Sequence, residues 1–377
     1  MKMKEIWIDA QIPLLEEALR HNEANGWRFC RFEGRSLTSA ELRNCVALCV
    51  RSTTQVNAQL LTGSAVRFVG TATSGAEHCD AEYLARAGIR FADAKGCNAN
   101  AVAEYLVFAT LLWAERQGRG LSGETMGVIG YGNIGRRVVR YALALGMKAL
   151  VYDPPLFRRN PEFARRLPDG AQAVESLQEL CAASNALTNH VPLVSQGRYP
   201  TANVLNAGVL RAFGSGGLIV HASRGGVADE SAIAEGVERR AWSAAVDVWL
   251  GEPSVNPRFA ERCFLATPHV AGYMLEGKIR GSVAMAKALE DFSKDGFAPL
   301  TTRWEILQSA MKPQETEAVS WNDHDRLLAR LRGSRALEED TKAFLRSLRV
   351  PDPARGFDRL RAAYPLRREI LPEWSEE

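Results

Sequence analysis

An α/β fold built on parallel sheets is what this sequence predicts, and three observations carry that prediction. Short runs rich in Val, Ile and Ala recur along the chain, stretches of helical spacing separate them, and one run leads into G-x-G-x-x-G at Gly130, Gly132 and Gly135. Strands covered on both faces need such near-continuous apolar composition. Regular strand–helix alternation builds a layered sheet with helices on its faces. At 377 residues the chain exceeds one ordinary core, so more than one domain is expected.

From the N-terminus, KEIWIDA, VALCVRS, VRFVGTAT and IRFADAK read as strands separated by helices, giving a first domain over 1–98. Cys45 and Cys49, four apart, are placed together on a helix, and with no histidines beside them a metal site there is not expected. Residues 99–117 form a helix too apolar to be bathed in solvent, hence packed against another domain or subunit. Strand–helix alternation resumes with TMGVIG, ALVYD, GLIVHAS, SAAVDVW and CFLATP, giving a second domain over 99–267. Then EGKIRGSVAMAKALEDF reads as one helix, and the chain crosses back near 268–285 to complete the first domain. The tail, 286–377, has dense Arg and Glu and is expected to form a small separate domain.

Composition excludes several classes of function. A net charge of +3 provides no overall basic field for nucleic acid. The N-terminal MKMKEIWIDAQIP has no apolar signal core, and the run from Ala101 to Ala114 is interrupted by Glu104 and is too short to span a bilayer. Seven cysteines without a CxxC pair fit a reducing compartment, so a cytoplasmic protein is expected.

The glycine motif carries the first piece of chemistry. Gly130 permits a tight turn after the strand MGVIG, Gly132 lets the backbone approach a pyrophosphate, and Gly135 lets helix and strand pack closely. The helix that follows has Ile134, Val138, Ala142 and Leu145 on one face, and its N-terminus offers N–H groups to an anion. Asp153 ends the next strand, ALVYD, where an acid bonds the adenosine ribose hydroxyls and repels a 2′-phosphate. NAD is therefore the expected cofactor, although Arg158 and Arg159 lie close by.

Charged residues then follow candidate strands of the same domain: Arg224 after GLIVHAS, Asp247 and Glu252 in DVWLGEP, and His269 in TPHVAGY. Ligands of open α/β sheets bind outside the carboxyl ends of strands. Oxidising a 2-hydroxy acid needs a cation for the carboxylate, a base for the hydroxyl proton and a carboxylate to orient that base. Arg224, His269 and Glu252 supply that set. In the first domain TATSGAEH reads as a loop turning N–H groups towards an anion, with Ser52, Thr73 and Arg51 adding donors and charge. The spacing leaves the 2-hydroxy acid open among phosphoglycerate, glyoxylate and lactate types, and leaves open a cofactor-sensing role.

GYGNIG, ASRGG, DVWLGEP and TPHVAGY together resemble the D-isomer-specific 2-hydroxyacid dehydrogenases. VRSTTQVN, FVGTATSGAEHCD, KGCNANAVAEY, YDPP and AGYMLEGKIRG are similar to a subgroup whose substrate is a phosphorylated 2-hydroxy acid. The resemblance implies two Rossmann-like doubly wound parallel-sheet domains closing over a cleft, plus a small C-terminal α/β domain that forms a homodimer. It implies Arg224 and Glu252 as catalytic residues and His269 as the proton carrier, with substrate contacts from Ser52, Thr73 and Tyr273. Cofactor contacts would come from the glycine turn with Asn133 and Ile134, and from Asp153, Val191, Asp247 and Gly272. Val191 stands where relatives carry threonine and offers only its backbone. His221 stands where relatives carry asparagine and reads as structural, and Leu250 replaces a glutamate.

Overall fold

The computed structural model describes residues 3–312 and 318–373. They group into two compact units, Met1–Asn98 with Met274–Thr316, and Ala99–Tyr273 with Glu317–Glu377.

The first unit holds five parallel strands: β1 (Lys4–Asp9), β2 (Trp27–Phe32), β3 (Cys45–Val50), β4 (Phe68–Thr71) and β5 (Arg90–Asp93), in the order β2-β1-β3-β4-β5. One face buries Ile6, Ile8, Ala47, Cys49 and Phe68 against Met285, Leu289 and Phe292 of the helix Leu275–Ser293. The other buries Cys45, Leu48, Val50 and Val69 with Leu84. Cys45 and Cys49 thus lie on a strand, not the expected helix, because CVALCV is apolar throughout and pairs on both edges. They pack into opposite cores because the β1–β3 register shifts between Glu5 and Ile6, interrupting the alternation of side chains.

The second unit holds seven parallel strands: β6 (Thr125–Ile129), β7 (Lys148–Tyr152), β8 (Ala171–Ala173), β9 (Ala186–Asn189), β10 (Gly217–His221), β11 (Trp242–Val246) and β12 (Leu265–Ala266). Their order is β12-β11-β10-β9-β6-β7-β8, so chain direction across the sheet reverses between β6 and β9. That reversal opens the crevice in which doubly wound sheets bind ligands. The helix Ala99–Gln117 is buried along Ala99–Ala114 and packs on the helix Asn133–Ala144 and on Leu327, Leu328 and Leu331 of the helix His324–Arg335.

The stretch 286–377 is divided between the units. Ala286, Leu289 and Phe292 belong to the first core, whereas Leu331, Leu337 and Leu371 complete the second. Among the described residues its further regular elements are helices: Trp304–Met311 in the first unit, and His324–Arg335, Leu337–Ser347 and Pro353–Ala362 in the second. Among the described residues no helix is long and apolar enough to cross a membrane.

Candidate active site

The glycine turn sits at the sheet's reversal. Gly130 has φ +90°, and a Cβ there would stand 2.7 Å from the His190 carbonyl oxygen and from Val191 Cγ1. At Gly135 a Cβ would stand 2.0 Å from the Gly130 carbonyl oxygen, whereas at Gly132 it would meet nothing within 4 Å. Two glycines are thus needed for packing, and the third leaves open space over the first turn of the helix Asn133–Ala144. No side chain caps that helix at Gly132, so its leading N–H groups are left to an anion. Asn133 opens the helix, and Ile134 packs half-buried on the core. Asp153 receives Tyr131 N–H at 2.8 Å on Oδ2 and Leu156 N–H at 3.0 Å on Oδ1. Each oxygen keeps a lone pair for a ribose hydroxyl. Arg158 and Arg159 are exposed on the short helix beyond. These residues fit a dinucleotide. We expect Gly135→Ala to cost about 1–3 kcal/mol of stability, since its methyl meets backbone, and to weaken NADH binding. Thermal melts and NADH fluorescence titration check both.

The second cluster lies at the carboxyl ends of β10, β11 and β12. His269 Nδ1 and Glu252 Oε2 are 2.8 Å apart, and Trp249 N–H donates to Glu252 Oε1 at 2.8 Å. Burial pushes the Glu252 carboxyl up, but His269, Trp249 N–H and Arg361 outweigh it and hold the group below the ordinary carboxylate range. His269 has φ +58°, a left-handed conformation that costs a non-glycine residue on the order of 1 kcal/mol. What enforces it is Asp247. Its backbone carbonyl accepts His269 N–H at 2.8 Å, and its carboxylate accepts Thr267 Oγ1–H at 2.6 Å, Val270 N–H at 2.8 Å and Ala271 N–H at 2.9 Å. Burial raises the Asp247 carboxyl above its ordinary range. Asp247, expected at the cofactor, also folds the turn that presents His269.

Arg224 follows β10 and donates from Nη1 to the Ser223 carbonyl at 2.8 Å. A Cβ at Gly225 would stand 2.0 Å from the Trp249 carbonyl oxygen, so glycine lets the Arg224 loop pass directly over the Glu252 turn. Leu250 is exposed, and its N–H donates to Glu230. Gly272 and Tyr273 lie half-buried in the turn after His269, closed by Tyr273 N–H on Val270 O at 2.9 Å.

Two histidines complete this edge, one of which sequence reasoning missed. Asn189 Oδ1 accepts from Ser223 Oγ, which leaves Asn189 Nδ2 to donate to His221 Nδ1 at 3.2 Å. The His221 proton then sits on Nε2, which is buried without a partner, as is His190 Nδ1. Burial pushes His221 down to about 4, with Glu252 opposing and His269 adding to the shift. Burial, then His221, pushes His190 down to about 3. The unfolded chain takes up protons near pH 6.5 that the fold refuses, so stability falls as pH drops from 6.5 towards 4. His221→Asn is expected to remove on the order of 3 kcal/mol of that loss at pH 4. The difference between melts at pH 7 and pH 4.5, variant against wild type, measures it.

In the first unit Ser52 is exposed in the turn after β3, where Thr54 N–H donates to Arg51 O at 3.1 Å. Thr73 donates to the Gly75 carbonyl at 2.7 Å. Since a carbonyl only accepts, Thr71 Oγ1 must donate to Thr73 Oγ1 at 2.7 Å and His78 Nε2–H to Thr71 Oγ1 at 2.9 Å. His78, unnoticed in the sequence, thus sets the orientation of the Thr73 hydroxyl.

A glycine turn at a sheet reversal, with an Arg, a Glu–His pair and an acid at the neighbouring strand ends, defines an NAD-dependent dehydrogenase. The family model "D-isomer specific 2-hydroxyacid dehydrogenase, NAD binding domain" matches residues 107–271. Erythronate-4-phosphate dehydrogenase of Pseudomonas paraeruginosa is 37% identical over 97% of this chain and 93% of the relative. That of Chromohalobacter salexigens is 36% identical over 97% and 92%. Among solved structures, an NAD-bound 3-phosphoglycerate dehydrogenase from Entamoeba histolytica aligns with TM-score 0.64 and 21% identity over 84% of this chain and all of that one. D-mandelate dehydrogenase from Rhodotorula graminis aligns with TM-score 0.65 and 21% identity over 80% and 98%. At that identity the structures share the fold. The chain belongs to the erythronate-4-phosphate dehydrogenase family of D-isomer-specific 2-hydroxyacid dehydrogenases.

Proposed function

We propose that this protein oxidises 4-phospho-D-erythronate at C2, giving (R)-3-hydroxy-2-oxo-4-phosphooxybutanoate, as a step of pyridoxal 5′-phosphate (vitamin B6) biosynthesis in the cytoplasm. The observation that carries this reading is the 2.8 Å pair of His269 and Glu252, on a turn that the Arg224 loop crosses at Gly225, in a chain whose relatives bear that name over most of its length. Gly130–Gly135, Asp153, Val191, Asp247 and Gly272 would hold NAD, which would supply the hydride acceptor.

His269 receives the C2 hydroxyl proton on Nε2. Its Nδ1–H is fixed towards Glu252, so the lone pair is on Nε2. Glu252, kept ionised, stabilises the imidazolium that forms. Arg224 clamps the carboxylate and the developing carbonyl with a planar fork that a single ammonium does not match. Tyr273, Ser52 and Thr73 are the further substrate contacts in this reading. The active form is a homodimer involving the C-terminal segment.

The test is formation of the 2-oxo acid from 4-phospho-D-erythronate, with and without added 2-oxoglutarate, compared with 3-phosphoglycerate. We expect kcat/KM to favour 4-phospho-D-erythronate by at least about 10²-fold, because a site built for polar groups rejects a substrate that leaves them unpaired. Equal or reversed preference contradicts the substrate, while NAD-dependent turnover of phosphoglycerate alone retains the class of reaction.

A further inference from the structure

The C-terminal segment reaches the turn that carries the active-site residues. Ala271 is held through both of its backbone groups: its N–H donates to Asp247 Oδ2 at 2.9 Å, and its carbonyl accepts from Arg335 Nη1 at 3.3 Å. Arg335 is fully buried, and its Nε donates to Glu104 at 2.9 Å. Glu104 in turn accepts Ile370 and Leu371 N–H at 2.7 Å each.

Two residues further on, the Tyr273 ring meets the Tyr364 ring edge to face, centroids 5.7 Å apart and planes at 87°. Tyr364 does not drift. Its hydroxyl donates to Asp340 Oδ2 at 2.7 Å and accepts from Arg367 Nη1 at 2.7 Å, and Arg367 Nη2 reaches Asp340 Oδ1 at 2.9 Å. The phenol of Tyr364 is thus pinned to two charged partners, which fixes the ring that Tyr273 leans on.

We propose that Tyr364 is a positioning residue for Tyr273, so that the C-terminal segment shapes the substrate side of the active site. This rests on the reading of Tyr273 as a substrate contact. The contact is between rings, so it acts on the rotamer of Tyr273 and not on the His269–Glu252 pair, whose hydrogen bonds do not involve Tyr364. The consequence is an effect on substrate binding with the proton-transfer apparatus left intact.

The experiment measures kcat and KM for 4-phospho-D-erythronate, and the NADH dissociation constant, for wild type, Tyr364→Ala, Tyr364→Leu, Tyr364→Phe, Tyr273→Ala and the Tyr273→Ala/Tyr364→Ala double variant. Tyr364→Leu keeps bulk without a ring edge, in case the alanine variant does not fold. We expect the alanine and leucine variants to raise KM about 3- to 10-fold, the size of an edge-on ring contact, with kcat and NADH affinity within about twofold. Tyr364→Phe, which keeps the ring, recovers most of the wild-type KM. In the Tyr273→Ala background, Tyr364→Ala adds no further rise. A KM raised by Tyr273→Ala but by neither Tyr364→Ala nor Tyr364→Leu overturns the proposal alone. So does a loss spread equally over KM, kcat and NADH affinity. A KM unmoved by Tyr273→Ala, or a wild type that does not turn this substrate over, removes the reading beneath it and the proposal with it.

Discussion

His269→Ala is expected to lower kcat by about 10²–10⁴-fold, the contribution of a positioned acid–base group, while NADH binds within about threefold of wild type. The separation follows from where the two functions sit. The glycine turn and Asp153 follow β6 and β7, whereas His269 is presented beyond β12 by Asp247 and held by Glu252. Steady-state kinetics and NADH titration read the two effects independently. A variant that keeps most of its kcat would assign the proton to another group. Glu252→Gln is expected to lie between wild type and His269→Ala, because an amide still reaches the imidazole but does not stabilise its cation.

Arg224→Ala is expected to lower kcat/KM by about 10²–10⁴-fold, from the loss of the two charge-assisted hydrogen bonds that the proposed carboxylate clamp would make. Arg224→Lys should recover only part of it, since an ammonium replaces a planar fork by a point charge. The backbone around Arg224 is fixed by the passage of Gly225 against Trp249 O, so the lysine enters the same place with the wrong geometry. Full recovery by lysine would mean that charge alone is required there.

Much of this was legible in the sequence because strong local signals agreed with the fold. TMGVIG, ALVYD, GLIVHAS and SAAVDVW are strands, and the helix over 99–117 has the bounds its composition predicts. The glycine turn was readable because each glycine has its own steric reason, visible in what a methyl would meet. Strands β2, β8 and β9 were not. β9 is ALTN, four residues with two polar side chains, whose burial comes wholly from its neighbours β6 and β10. With β9 unseen, so were His190 and the Asn189–Ser223–His221 network at its end. The candidate residues Arg224, Glu252 and His269 were readable as types following strands, but the Asp247 carboxylate was not readable as the clamp of the His269 turn. That depends on three hydrogen bonds to residues 20–24 positions away. The tail was least legible, because its helices are assigned to two cores by contacts distant in sequence, such as Arg335 with Glu104.

The central claim is NAD-linked oxidation at C2 of a phosphorylated 2-hydroxy acid with His269 as the proton acceptor. Its most direct test is incubation of the wild-type protein with 4-phospho-D-erythronate deuterated at C2, followed by mass analysis of the reduced cofactor, with His269→Ala in parallel. The account predicts one deuterium in the reduced cofactor from the wild type and almost none formed by the variant in the same time. Oxidation of the substrate with no deuterium in the cofactor, or equal labelling by His269→Ala, would contradict it.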